Sequence, residues 1–99
     1  MPVLHIVRLS PHRSSDLERA LATATRGAHV LLVQDAVTAA ADTEGGRALA
    51  ARAREAGVAV HALREDLAAR GVARVAEGID VVDYGAWVDL VEAHVPVTW

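Results

Sequence analysis

Polar residues follow each apolar run in this chain. Gln34 and Asp35 come directly after Val30-Leu31-Leu32-Val33; Arg8 and Ser10 follow Pro2 to Val7; Arg64, Glu65 and Asp66 follow Val58 to Leu63; Asp83 follows Ile79 to Val82. Carboxylates, an amide, a hydroxyl and guanidinium groups at such positions can bind a polar ligand or a partner surface, and they can equally cap the helices that begin there. Ser10, His61 and Asp35 supply the residue types of a hydrolytic triad, yet no G-x-S-x-G turn presents a nucleophile. The segment RLSPHRSSD contains no glycine, so it cannot form a Gly-rich phosphate cradle. The five histidines, at 5, 12, 29, 61 and 94, include no pair at the helical i, i+4 spacing that sets two imidazoles on one metal. They read as scattered strand and surface residues. Arg47, Arg52 and Arg54, with Glu44 and Glu55 beside them, read as a solvated helix face.

The elements that must position these groups follow from hydrophobic periodicity. Pro2 to Val7 is rich in β-branched residues and predicts a strand. Ser15-Asp16-Leu17-Glu18 has the form of a capping box, and Leu17, Ala20, Leu21 and Ala24 make one apolar helical stripe before Gly27. His29 to Val33 predicts a second strand, after which Asp35 is placed to cap a short Ala-rich turn or helix. Arg47 to Ala56 predicts a longer helix, with Leu49, Ala53 and Ala56 toward the sheet and Gly57 as its stop. Val58 to Leu63 is a third strand, Arg64 to Arg70 a short helix ending at Gly71, and Ile79 to Val82 a fourth strand. Asp83 caps a last helix on which Trp87, Leu90, Val91 and His94 share a face, and Pro96 ends it ahead of a short strand at Val95 to Trp99. Strands alternating with helices predict an α/β fold. Residues 1–99 form a single domain, an open and mostly parallel sheet of about five strands with helices on both faces.

In such a sheet a ligand crevice lies outside the carboxyl ends of the strands. Arg8, Ser10, Gln34, Asp35, Asp66 and Asp83 all fall on that rim, and together with Trp99 they are the candidate partner-docking or ligand-facing residues.

Composition narrows the function classes. The chain is 53% hydrophobic and has no run of eighteen apolar residues, which predicts a globular protein without a membrane span. No secretory or lipidation signal is visible, so the cytoplasm is the expected compartment. There is no Cys and no Lys, which removes thiolate, Schiff-base and phosphate-loop lysine chemistry from this chain. A formal net charge of -3 argues against a direct grip on nucleic acid. The apolar residues are mostly Ala and Val with no Phe, so a monomeric core is thin and a partner subunit is expected, or a homo-oligomer if the chain is expressed alone. No cofactor or metal is implied.

Four pieces in order, LHIVRLSP, LLVQDAVTAA, VHALREDLAARGV and VVDYGAWVDLVEAHVPVTW, resemble the TusB/DsrH family of sulfur-relay subunits along the whole chain. The resemblance implies a DsrE/DsrF/DsrH-like fold and a place in a heterohexamer with TusC/DsrF-like and TusD/DsrE-like sister subunits. It further implies a role in relaying persulfide sulfur toward tRNA wobble-uridine 2-thiolation or, in DsrH-like members, in cytoplasmic sulfur oxidation. DsrH-like members carry a cysteine in the first helix, where DLERAL here has Ala20, which favours the TusB-like side. The expectation is an accessory, non-catalytic subunit whose partner holds the acceptor cysteine. A stand-alone homo-oligomer binding a small ligand on the rim is the alternative. The ending VPVTW resembles the family's own tryptophan ending, and Trp99 is expected either to anchor an interface or to pack on the last helix near Trp87.

Overall fold

Strand pairing organises the chain, which we describe over residues 2–99 from a computed structural model. Five strands, β1 (Val3–Val7), β2 (His29–Leu32), β3 (Ala59–Leu63), β4 (Asp80–Val82) and β5 (Val95–Thr98), form one sheet in the order β4-β3-β2-β1-β5. Every pairing is parallel, with Leu4 opposite His29, Val30 opposite Val60, Ala62 opposite Val81 and Val3 opposite Val95. Parallel neighbours need crossovers. These are supplied by α1 (Asp16–Thr23), a 3₁₀ helix (Gln34–Ala40) with α2 (Glu44–Ala56), α3 (Arg64–Ala69) and α4 (Tyr84–Ala93).

Because strand side chains alternate between faces, the sheet separates two cores. Val7, Val30, Leu32, Val60 and Ala62 meet α1, α2, α3 and the 3₁₀ helix on one face through Leu17, Ala20, Val37, Leu49, Ala53 and Leu67. On the other face Leu4, Ile6, Leu31, Leu63 and Val82 meet α4 alone, through Ala86, Trp87, Leu90 and Val91. The helices thus cover both faces unequally. No residue of α4 is fully buried, and Tyr84 and Val88 stand half exposed on its outer side.

Local chemistry sets the boundaries. The side chain of Asp83 accepts from Ala86 N–H at 2.8 Å and that of Thr43 accepts from Gly46 N–H at 3.1 Å, each satisfying a donor that the first helical turn leaves free. Gly57, at φ 71°, closes α2 in the left-handed conformation that only glycine adopts cheaply. Gly46 has a different reason: a Cβ there would lie 1.8 Å from the Ala41 carbonyl oxygen, so the start of α2 presses directly on the backbone before it.

Several expected details differ. Ser15 stands at the N-cap of α1 but makes no side-chain capping bond; Ser14 Oγ accepts from Asp16 N–H instead, and Glu18 pairs with Arg52 at 2.6 Å rather than reaching back. The capping box therefore does not form. α2 begins at Glu44, three residues before the expected Arg47, because Thr43 is the cap; Ala56 at its other end is exposed. Asp35 is not a cap: Val33 precedes the 3₁₀ helix and Asp35 lies within its first turn, where its carboxylate takes Arg70 instead. Among the described residues no helix is long and apolar enough to cross a membrane.

Candidate functional site

The carboxyl ends of all five strands lie on one edge, and the rim residues gather there in three groups. At β2, the backbone turns sharply: Gln34 has φ 51°, the one non-glycine residue in the left-handed region among those described. That conformation costs on the order of 1 to 2 kcal/mol for an L-residue and persists where neighbours over-determine it. Here Asp66 does so, its Oδ2 accepting Gln34 N–H, while Ala36 N–H reaches the Arg8 carbonyl at 3.1 Å. Arg70 ties the group together, with Nε 3.0 Å from Asp35 Oδ1 and a terminal nitrogen 3.4 Å from Asp66 Oδ1. Gln34, Asp35, Asp66 and Arg70 form one network, with the Gln34 side chain left exposed to solvent. Arg70 was not among the expected rim residues. It lies at the far end of α3, and only the packing of α3 on the 3₁₀ helix brings it to Asp35.

Ser10 and Asp35 open onto a cleft of about 1060 Å³ between the loop after β1, α1 and the start of α2, lined also by His12, Arg13, Thr38 and Arg52. Ser10 Oγ is itself used by the loop, accepting His12 N–H at 3.2 Å. At the opposite end of the rim Asp83 caps α4 and lies 3.6 Å from Arg64.

Arg8 and Trp99 form the third group, at the outer pair β1 and β5. Arg8 Nε donates to the Trp99 main-chain oxygen at 3.1 Å, and Trp99 N–H donates to the Ile6 carbonyl at 2.9 Å. The indole lies against the larger core, under the Arg19 guanidinium at 5.8 Å, and its Nε1–H donates to His5 Nδ1 at 3.1 Å. Burial pushes the His5 imidazole below its ordinary value, which favours the neutral ring, and the indole N–H selects the tautomer with Nδ1 bare to accept it. Trp99 therefore does not pack near Trp87. The two lie on opposite faces of the sheet, because residue 99 continues the β5 alternation onto the His5 side.

The triad composed from Ser10, His61 and Asp35 is not assembled. His61 lies under α4 with its Nδ1 3.0 Å from Asp80 Oδ2, and its Nε2 2.8 Å from His29 Nδ1. His94, at the end of α4, sets its ring edge-on to His29 with centroids 4.3 Å apart and holds the Leu90 carbonyl through Nδ1 at 2.8 Å. Three of the histidines expected to be scattered are thus one cluster. Parallel register places His29 and His61 on one face of adjacent strands, two residues out of step, and the α4 crossover returns His94 above them. Two strand histidines whose side chains share a parity were the available signal. Among the described residues no group of three or more His, Cys, Asp or Glu is arranged to hold a metal ion.

Comparison with known proteins places this geometry. The YchN protein of E. coli superposes over 100% of both chains with a TM-score of 0.76 at 16% identity. MTH1491 of Methanobacterium thermoautotrophicum does so over 98% of this chain and 96% of its own, with a TM-score of 0.68 at 21% identity. Both share the fold. In sequence, Protein TusB of Escherichia coli O1:K1 / APEC is 40% identical over 93 residues, 93% of this chain and 94% of its own, and Protein TusB of E. coli strain K12 / DH10B is 39% identical over the same span. The model of the family described as DsrH like protein matches residues 9–97, nearly the whole chain from the loop after β1 through β5, and the chain belongs to that DsrH-like family.

Proposed function

We propose that this chain is a non-catalytic subunit of a TusBCD-like sulfur-relay complex, supporting persulfide transfer for 2-thiolation of tRNA wobble uridine. The observation that carries the reading is the similarity, over 93% of this chain, to proteins named TusB, joined to a sequence without cysteine. Persulfide transfer requires a thiolate that attacks and a thiol that leaves, and this chain has neither. Its contribution is then a surface, and the acceptor cysteine belongs to a TusD/DsrE-like partner beside a TusC/DsrF-like one. The proposed docking surface is the carboxyl rim: Arg8, Ser10, Gln34, Asp35, Asp66 and Asp83, with Trp99 fastening β5 beside Arg8. The strained Gln34 supports this, since a backbone turn held at a cost by Asp66 keeps this residue exposed on the rim. Position 20, where DsrH-like members carry a cysteine, is here a wholly buried alanine without a thiol. This favours thiolation over a DsrH-like role in sulfur oxidation.

The test is reconstitution. Purified chain is mixed with the two sister subunits, and the assembly is sized and its components weighed by intact mass after treatment with a desulfurase and persulfide donor. The expected outcome is a heteromeric complex, a heterohexamer on the family's pattern, in which sulfur is gained by a sister subunit only. A stable gain of one sulfur atom on this chain, or failure to associate with either sister, rejects the proposal.

A further inference from the structure

The histidine cluster has no part in the rim. It lies at the amino end of β2 and the middle of β3, on the face that α4 alone covers. The hydrogen bonds fix where the protons sit. The Asp80 carboxylate can only accept, so His61 Nδ1 carries a proton and donates at 3.0 Å. With His61 neutral, its Nε2 is a bare lone pair, and the 2.8 Å contact then has His29 Nδ1–H donating to it. The Leu90 carbonyl likewise requires Nδ1–H on His94. All three imidazoles are satisfied when neutral, with unprotonated Nε2 atoms left on His29 and His94, whose rings meet edge-on at 4.3 Å. The His61 and His29 rings lie side by side along this hydrogen bond, with centroids 5.1 Å apart and planes 8° apart.

We propose that His29, His61 and His94 form a proton-operated latch that holds the carboxyl-terminal half of α4 on the sheet, and that charging the imidazoles releases it. Protons added at His29 Nε2 and His94 Nε2 place two cations ring against ring, with the single His61–Asp80 pair to offset them. The other carboxylates near the cluster, both on α4, are exposed to solvent and screened, so they offset this charge only in small part. On α4, Asp89 lines the small cleft shared by His61, Asp80 and Leu90, Glu92 is exposed, and there is no basic residue before His94. β5 contributes no titratable side chain, β1 presents Leu4 and Ile6 to this face, and His5 lies on the opposite one. α4 can yield locally because none of its residues is fully buried, whereas the helices on the other face each bury residues in the larger core.

Burial, with the charges of His94 and His61 behind it, holds the His29 imidazole below its ordinary value of 6.5. The sign follows from linkage: a group protonated more readily in the unfolded or open state leaves the latch fully closed above pH 6.5, and the closure is lost as pH falls through 6.5 to the folded value.

Hydrogen exchange from about pH 8 to about pH 5.5, corrected for intrinsic rates, tests the latch in the intact chain. Protection of the Val88–Ala93 amides is expected to fall on acidification, and to fall further than at Leu49 and Ala53 of α2, which register the stability of the whole fold. His29→Gln and His94→Gln should each flatten that excess loss, while His5→Gln should keep it. An unchanged α4, equal losses in α4 and α2, or a wild-type response in both His29→Gln and His94→Gln overturns the proposal. Should those variants fail to fold, nitrogen-15 titration of the wild-type imidazoles decides it. Protonation of His29 without loss of α4 protection rejects the latch; the two moving together support it.

Discussion

Replacing Trp99 by Ala isolates what closes the outer edge of the sheet. The indole is half buried on the larger core, so about half the usual cost of a buried Trp→Ala change, roughly 2 kcal/mol, is expected from lost packing. His5 is 5% exposed, and removing the indole N–H leaves its Nδ1 without a partner, adding about 1 kcal/mol. The exposed Arg19 contact, at 5.8 Å from the ring centroid, contributes about 0.5 kcal/mol. The sum of about 3.5 kcal/mol corresponds to a fall in melting temperature on the order of 15 °C for a chain of this size. Thermal denaturation of the isolated chain followed by circular dichroism at neutral pH measures it. Trp99→Phe keeps most of the apolar contact and loses the donor, so it should fall by only about 1 kcal/mol. A Trp99→Ala chain that melts within about 3 °C of wild type, yet assembles poorly with sister subunits, would refute the packing argument and make Trp99 an interface anchor.

Other outcomes follow from the same contacts. Gly46→Ala sets a methyl group 1.8 Å from the Ala41 carbonyl oxygen, and should cost at least about 3 kcal/mol or prevent folding, as read by urea denaturation; Gly45→Ala, whose methyl would meet only Thr43 Oγ1 at an ordinary 3.8 Å contact, should cost less than about 1 kcal/mol. Asp83→Ala removes the α4 cap and should lower stability by about 1 kcal/mol, with the first turn of α4 showing the largest gain in amide exchange. Asp66→Ala leaves Gln34 N–H and Arg70 without their carboxylate and should cost about 1 to 3 kcal/mol; adding Gln34→Gly should return part of the loss by relieving the left-handed backbone, measured as non-additivity in a double-mutant cycle.

Much of the architecture is written in local pattern. Short apolar runs, each followed by polar residues and a helical stripe, specify strands and crossovers, since period and turn chemistry are properties of neighbouring residues. Gly57 and Asp83 act where their types and places predict, because a left-handed stop and a carboxylate cap involve only the adjacent turn. The absence of cysteine likewise needs no structure to bound the chemistry. What the sequence left open depends on contacts between distant segments. Whether Ser15 or Ser14 meets a helix donor is set by the path of the loop from β1, and Asp35 exchanges a cap for Arg70 because α3 packs on the 3₁₀ helix. Trp99 reaches His5 because β5 pairs beside β1 in a register no short stretch encodes. The histidines show the division most plainly: 29, 61 and 94 are more than thirty residues apart in sequence, and only parallel pairing of β2 with β3 and the return of α4 across them bring three imidazoles and Asp80 within hydrogen-bonding and ring contact.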